Sequence, residues 1–220
     1  MPKRRKVSNL LALSLLTLLM QQPMYPYEMA ATLRERGKDQ SIKINWGSLY
    51  TVVQNLEKYG FIEAVEVARE GRQPERTTYQ ITEAGHAELR DWLRELIGEP
   101  EREYTRFEAG LGEAAVLPPD EVIGLLRDRL KVLEVSNAGH QAELEALGVQ
   151  VPRLFLVESE YYLALRRAEE DWVRGMLKEL TDGTFPGVGA WRQLHETGQL
   201  PEELLVAADQ EREGDKATES

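Results

Sequence analysis

The stretch from Asn45 to Ile62 carries the residue types best suited to binding another molecule through hydrogen bonds. At 3.6 residues per turn, one face of this stretch collects short uncharged groups and one lysine: Gly47, Thr51, Gln54, Asn55 and Lys58. Hydroxyl and amide groups can donate and accept hydrogen bonds at the edges of nucleic-acid bases, and a lysine can reach a phosphate. Ordinary solvated helix faces are richer in Glu and Lys. The pattern therefore favours a base-reading helix, with a face that is merely wetted by solvent as the alternative.

The opposite face of the same stretch is apolar and must be buried. Its residues follow the i, i+3, i+4, i+7 spacing of a helix: Leu49, Val52, Val53 and Leu56. Gly60 is predicted to end the helix in a left-handed conformation, with Phe61 folding back onto it. The polar face would thus be presented by a helix that is anchored in a core.

Three helices followed by a hairpin are predicted around this stretch. Helix one is predicted from Ser8 to Met20, capped by Ser8 or Asn9, and helix two from Tyr27 to Gly37. After Gly60 the period changes to two, which predicts strands at 62–68 and 77–81. Between these strands lies a turn with three arginines, Arg69, Arg72 and Arg76. This order is that of a winged helix-turn-helix, in which the wing and helix two hold helix three against the major groove.

The second half of the chain reads as acidic and helical. Thr82 is a natural cap for a fourth helix, which Gly98 and Pro100 end. Two long amphipathic helices, about 119–147 and 154–180, are then joined by a short turn and form an antiparallel hairpin. Their predicted seam positions are Val122, Leu126, Leu133, His140 and Leu147 on the first, and Val157, Tyr161, Ala164 or Leu165, Ala168 and Trp172 on the second. Because two helices cannot bury all their apolar faces alone, a second copy of the chain is the expected partner.

The predicted fold class is therefore mainly α with a small β-hairpin wing. Residues 1–99 are expected to form a winged helix-turn-helix DNA-binding domain, and residues 100–182 an antiparallel helical dimerisation domain. Residues 183–220 are expected to be a partly disordered tail, because they are rich in Gly, Pro and charge.

Charge is distributed unevenly between the two halves. Residues 1–99 hold 14 Lys and Arg against 13 Asp and Glu, whereas residues 100–220 hold 13 against 25. The net charge of −11 thus comes from the second half, and DNA binding by the first half stays open.

A basic segment precedes helix one, and its role has several interpretations. Lys3, Arg4, Arg5 and Lys6 can form an arm that contacts the DNA backbone or minor groove, with disordered solubilising charges as the alternative. Followed by the apolar run 10–20, they could also open a signal peptide. Eleven helical residues span only about 16 Å, too short for a membrane core of about 30 Å. We therefore expect helix one to belong to the globular core, without a membrane partner.

No enzymatic or metal-binding motif is recognisable. The chain has no cysteine, and its three histidines lie far apart in sequence, at positions 86, 140 and 195. Nucleophile-elbow, phosphate-loop and zinc-protease patterns are absent from the sequence. We expect neither catalysis nor a cofactor.

Several sequence blocks resemble the PadR family of bacterial transcriptional regulators. The blocks are Gly47-Ser48-Leu49-Tyr50, residues 56–62, the wing at 71–76 and residues 79–85 with the pattern Tyr-x-Ile-Thr-x-x-Gly. The resemblance covers roughly residues 8–97, and the acidic half is similar to that of longer members, in which it dimerises. The sequence differs from the family pattern at Tyr25-Pro26, where members usually carry His-Gly, and at Thr51, where many members have Pro.

The resemblance implies a cytoplasmic, dimeric repressor that binds a palindromic operator in double-stranded DNA and is released by a small effector, for which an aromatic compound is the hypothesis. The major-groove residues it implies are Ser48, Tyr50, Thr51, Gln54 and Asn55. The contacts expected to accompany them are Lys43, Lys58, Arg72 and Arg76. Trp92 and Trp172 are the candidate effector-binding residues. The alternative function is a winged-helix module that binds proteins and has lost DNA binding.

Overall fold

The computed structural model describes residues 5–38, 42, 44–68 and 76–199. It forms two compact units, which meet in the chain between Arg102 and Glu103, three residues beyond the predicted boundary. Within the described ranges, no helix is both long and apolar enough to cross a membrane.

The first unit has the predicted order of three helices, a hairpin and a fourth helix. The helices are α1 (Leu10–Leu19), α2 (Pro26–Glu35), α3 (Leu49–Lys58) and α4 (Glu83–Gly98). A 3-10 turn at Trp46–Ser48 leads into α3, and the strands are β1 (Ile62–Ala68) and β2 (Arg76–Ile81). This confirms the predicted winged helix-turn-helix fold.

The core of this unit explains the continuous hydrophobicity of α1. Leu11, Leu15 and Leu16 are fully buried, and the apolar face of α3 packs into the same cluster. Burial of each such side chain contributes about 1.5–3 kcal/mol. Asn9, rather than Ser8, caps the helix, because its Oδ1 accepts from the Leu11 amide at 2.9 Å.

The β-hairpin is tied to the helices at its base. β1 and β2 pair antiparallel, with Ile62 opposite Ile81 and an irregularity between Ala64 and Glu66. Met24, in the turn after α1, exchanges two backbone hydrogen bonds with Tyr79 of β2, both 3.0 Å long. The hairpin is therefore held in a fixed position relative to α1.

At two glycines, another residue would disturb either the backbone conformation or the packing. Gly60 has φ of +73° and ends α3 as predicted, and the Phe61 amide donates to the Leu56 carbonyl. Gly85, in the first turns of α4, lies so close to the hairpin that an added Cβ would meet the Phe61 carbonyl oxygen at 2.0 Å and Ile81 Cγ1 at 2.7 Å. Close approach of α4 to the base of the hairpin thus requires a glycine at position 85.

Gly85→Ala is expected to destabilise the first unit by about 1–3 kcal/mol, because the clash with a backbone oxygen forces α4 away from the hairpin. Gly98→Ala is the matched control, since nothing lies within 4 Å of its added Cβ and Ala is the better helix former. Urea unfolding of both variants measures the difference. Equal midpoints would contradict the packing described for Gly85.

The second unit is built on the predicted helical hairpin. Its helices are α5 (Arg106–Gly112), α6 (Pro119–Gly148), α7 (Val157–Asp182) and α8 (Val188–Thr197). Leu133 of α6 and Val173 and Leu180 of α7 are fully buried between the helices. The seam also carries polar pairs, including Asn137 Nδ2 donating to Glu170 at 2.8 Å.

The predicted seam is correct on α6 for its first half only and wrong on α7. Val122, Leu126 and Leu133 are buried, whereas His140 is half-buried and Leu147 is exposed. On α7 the residues Val157, Tyr161, Leu165, Ala168 and Trp172 all face solvent. α7 has two apolar rows, and the row that packs on α6 is the other one, with Leu163, Val173, Leu177 and Leu180.

Within the segment 183–220, which was predicted as a partly disordered tail, residues Val188–Thr197 form the helix α8. Trp191 of α8 is buried among residues of α6 and α7, and its indole Nε1 donates to the Leu117 carbonyl at 2.9 Å. His195 Nε2 lies 2.9 Å from the Ala115 carbonyl oxygen. Residues 200–220 lie outside the described ranges.

Glu170 gives the α6–α7 seam a dependence on pH. The hydrogen bond from Asn137, and then Arg174, lower the pKa of Glu170 below its ordinary value. The Glu170 carboxylate therefore stabilises the fold at pH values above its unfolded-state pKa of about 4.3. This stabilisation is lost as pH falls through the lower pKa that Glu170 has in the folded state. Glu170→Gln is expected to lower the urea midpoint at pH 7, and this deficit should shrink as pH falls below about 4. A variant deficit that persists unchanged at pH 3 would contradict this.

Candidate nucleic-acid interface

The start of α3 is fixed by local hydrogen bonds. Asn45 Oδ1 accepts from the Gly47 amide at 3.1 Å, and Ser48 Oγ donates to the Asn45 carbonyl at 2.8 Å. The guanidinium of Arg34 on α2 lies 4.0 Å from the centre of the Trp46 ring. The predicted groove residue Ser48 is thus half-buried, and its hydroxyl proton is engaged within the turn.

The exposed face of α3 collects the predicted polar residues. Thr51, Gln54 and Lys58 are exposed and lie on one side, opposite the buried Leu49, Val52, Val53 and Leu56. Tyr50 borders this face with 62% of its surface exposed. Asn55 is only half-buried and sits at the edge. We call Tyr50, Thr51, Gln54 and Lys58 the polar face of α3. Its hydrogen-bonding groups are accessible without any rearrangement of the core.

Glu57 also lies beside this face, and the sequence analysis did not include it. It is exposed and stands three residues after Gln54, so helical spacing alone could have identified it. The Tyr79 hydroxyl donates to Glu57 Oε2 at 3.4 Å, and burial and then Glu57 raise the pKa of Tyr79. Tyr79 therefore stays neutral and holds the carboxylate against the hairpin. A carboxylate at this position can accept a hydrogen bond from a cytosine amino group but is repelled by phosphates.

Several predicted contacts fall where the structure describes no side chain. Lys3, Arg4, Lys43 and Arg72 lie outside the described residues, and Arg76 is described only as the first residue of β2. Their expected roles at the DNA remain predictions.

Arg5 is placed differently from the prediction that it belongs to a DNA-contacting arm. Its side chain is only 3% exposed, and its guanidinium bonds to Glu88 at 2.7 Å, Glu95 at 2.5 Å and Asp91 at 3.4 Å. It also lies 5.5 Å from the centre of the Trp92 ring. Burial lowers its pKa, but the hydrogen bonds that the guanidinium donates to Glu88 and Glu95 outweigh this and raise the pKa overall. A guanidinium buried against three carboxylates of α4 is not available to DNA.

The two candidate effector tryptophans do not share one environment. Trp92 is 3% exposed in the core of the first unit, which excludes it as a surface that stacks on a ligand. Trp172 belongs to the second unit and is 48% exposed. Its ring meets Phe107 edge to face at 6.0 Å, and Arg129 lies 3.6 Å from the centre of Phe107. Only Trp172 presents an open aromatic face.

In the part of the chain that the structure describes, no three His, Cys, Asp or Glu side chains converge closely enough to hold a metal ion. The polar face of α3 offers hydroxyl, amide and ammonium groups for hydrogen bonding and charge pairing.

Comparison with known proteins connects this geometry to a family. Residues 15–91 match the family described as the transcriptional regulator PadR-like family. No functionally curated protein matches the sequence significantly.

Solved structures share the fold across both units. Bacillus subtilis PadR in complex with operator DNA matches with a TM-score of 0.63 and 21% identity, over 78% of this chain and 99% of that one. The same protein in complex with p-coumaric acid gives a TM-score of 0.64 and 21% identity, over 79% and 99%. The Vibrio cholerae virulence activator AphA gives 0.58 and 19%, over 78% and 98%. At these identities the likeness establishes the fold.

The family match spans α1 to α4 with the hairpin between them, which is the part of the chain that carries the polar face of α3. Residues 15–91, which lie within this winged-helix unit, are similar to the PadR-like family of transcriptional regulators.

Proposed function

We propose that this protein is a sequence-specific DNA-binding repressor that acts as a homodimer on a palindromic operator. The observation that carries the proposal is the polar face of α3, which is exposed while the opposite side of the same helix is buried in the core. Gln54 can bond in bidentate fashion to adenine, and Thr51 can contact either a base or a thymine methyl group. Bacillus subtilis PadR, which shares the fold, was solved with operator DNA.

The phosphate contacts come from charges around this face. Lys58 lies on the face itself, Arg76 is the first residue of β2, and Arg72 falls in sequence between the two strands. We also assign backbone contacts to Lys3, Arg4 and Lys43 on the basis of their sequence positions. Arg5 is not among these contacts, because its guanidinium is buried.

A largely exposed apolar row on α7 supports the homodimer. Val157, Tyr161, Leu165 and Trp172 are 49%, 67%, 53% and 48% exposed, at spacings of four, four and seven residues. We call these four residues the α7 stripe. Heptad-like spacing of large apolar side chains is typical of a helix that packs on another helix, and a second copy offers an identical row. Two copies would present two α3 helices, which suits an operator with two related half-sites.

We further propose that a small aromatic acid releases the protein from DNA by binding at Trp172. Because Trp172 belongs to the α7 stripe, the effector would stack on its indole at the interface between the two copies. Bacillus subtilis PadR was solved with p-coumaric acid. Titration with p-coumaric acid is expected to quench the fluorescence of wild type but not that of Trp172→Phe. Quenching that is equal in the two proteins, or none in either, would count against this site.

Two other functions are distinguishable from this one. AphA is a virulence activator of the same fold, so activation is the alternative regulatory outcome. A winged helix that binds proteins would present large apolar residues on α3, whereas Thr51 and Gln54 stand there.

A gel shift with the DNA upstream of the chain's own gene tests DNA binding directly. The expected result is a shifted complex whose affinity falls steeply as salt rises, by about 0.9 logarithmic units per phosphate contact for each tenfold increase. No shift of any duplex at low salt would favour the protein-binding alternative. A reporter gene placed behind the shifted fragment then separates repression from activation.

A further inference from the structure

The segment that precedes α1 is anchored at two points. Arg5 is held by three carboxylates of α4, and Val7 is buried in the core of the first unit. Lys6 lies between these anchors and is exposed. Its backbone therefore has little freedom, although it belongs to the start of the chain.

The anchored segment brings Lys6 to the C-terminal end of α3. Lys6 Nζ lies 5.6 Å from the centre of the Tyr59 ring, and Lys58 Nζ lies 5.8 Å from the centre of the same ring. Tyr59 is the residue that caps α3 at this end. Two ammonium groups from distant parts of the sequence thus converge on one aromatic ring beside the polar face of α3.

Neither ammonium is neutralised by a carboxylate within the described residues. Glu88 and Glu95 of α4 are engaged by Arg5. Glu57, the neighbour of Lys58 in sequence, accepts from the Tyr79 hydroxyl. The ring orients the two charges while leaving their hydrogen-bond donors open.

We propose that Lys6 and Lys58 form a phosphate-binding pair that holds the C-terminal end of α3 against the DNA backbone, with Arg5 as the residue that positions Lys6. The inference rests on the proposed DNA-binding function and adds Lys6 to its contacts. Lysine is a compact point charge that suits a phosphodiester oxygen rather than bidentate recognition of a base edge. Lys58 shares a face with Thr51 and Gln54, so the pair borders the surface that would read bases.

Methionine substitutions test the pair, because methionine keeps an apolar stem over Tyr59 and removes the charge. Lys6→Met and Lys58→Met are expected to weaken binding equally on the operator fragment and on a random duplex, since phosphates carry no sequence information. Each variant removes two contacts per dimer, so the salt slope should fall by about 1.8. The weakening should then be about tenfold larger at 50 mM than at 200 mM salt. Lys178→Met, on the exposed surface of α7, is the control and should leave both quantities unchanged.

Arg5→Leu tests whether Arg5 positions Lys6, because the effects of Arg5→Leu and Lys6→Met on the salt slope should then not add. It should reduce the salt slope by the same amount as Lys6→Met, and the double variant should lose no more than Lys6→Met alone. Circular dichroism and the urea midpoint establish that each variant is folded. If Arg5→Leu fails to fold, Tyr59→Leu provides the second test, because removal of the ring should lower the slope while both lysines remain.

The outcomes separate this proposal from the one on which it rests. If wild type shifts the operator but Lys6→Met has the wild-type slope, the pair is refuted and the DNA-binding function stands. A loss confined to the operator would assign Lys6 to base reading and also refute the pair. If wild type shifts no duplex, both proposals fall.

Discussion

Gln54→Ala is expected to weaken operator binding by about 1–3 kcal/mol, which is roughly a five- to 150-fold rise in Kd, with a much smaller effect on random DNA. Gln54 is exposed at the centre of the polar face of α3, and its amide carries both a donor and an acceptor. Removal of the amide leaves a base edge without its partner. Competition gel shifts with specific and random duplexes measure the two losses separately.

The same substitution elsewhere provides the control for Gln54→Ala. Gln193→Ala, on the exposed side of α8 in the second unit, should leave both affinities unchanged. Asn55→Ala should cost less than Gln54→Ala, because its side chain is half-buried at the edge of the face. Equal losses on specific and random DNA for Gln54→Ala would contradict a base-reading role.

Leu165→Asp is expected to convert the dimer to a monomer and to reduce operator affinity by two orders of magnitude or more. Leu165 is 53% exposed in the middle of the α7 stripe, and burial of an unpaired carboxylate against a second copy is strongly unfavourable. Loss of the second half-site contact removes an avidity of about 10²–10⁴. Sedimentation velocity and an operator titration on the same sample measure the two effects.

Ser159→Asp is the matched control for the stripe. It adds the same charge to α7 at an exposed position outside the apolar row, and it should leave the protein dimeric. Because Leu165 is exposed in the single chain, its replacement should not change the fold of the hairpin. A Leu165→Asp protein that remains dimeric and binds the operator normally would show that the stripe is not the interface.

The parts of the fold that were predictable from the sequence have local causes. The end of α3 at Gly60, the cap of α4 at Thr82 and the period of two in β1 depend on residues within a few positions of each other. The polar face of α3 was recognisable for the same reason, since helical spacing alone assigns residues to faces.

The errors concern contacts between distant segments. A basic residue near the start of the chain has many possible partners in the sequence. Only the fold brings Arg5 to the three carboxylates of α4. Likewise α7 carries two apolar rows, and its own sequence does not decide which of them faces α6. α8 is short and follows Gly183 and Gly187, and the burial of Trp191 depends on its packing against α6 and α7.

The position of Lys6 also depends on a contact between distant segments of the chain. Its approach to Tyr59 requires the anchor at Arg5, 54 positions earlier in the chain than the ring. The basic residues 3–6 were predicted to act together as one arm, because charge alone does not distinguish an anchor such as Arg5 from a contact such as Lys6.

Capture of genomic DNA by the purified protein tests the central claim most directly. Sheared DNA from the source organism is incubated with wild type at physiological salt, and the bound fragments are sequenced. We predict that the enriched fragments share an inverted repeat with half-sites separated by a whole number of helical turns, and that Gln54→Ala loses this enrichment. Recovery of fragments without any shared sequence, or the same enrichment by Gln54→Ala, would contradict sequence reading by α3.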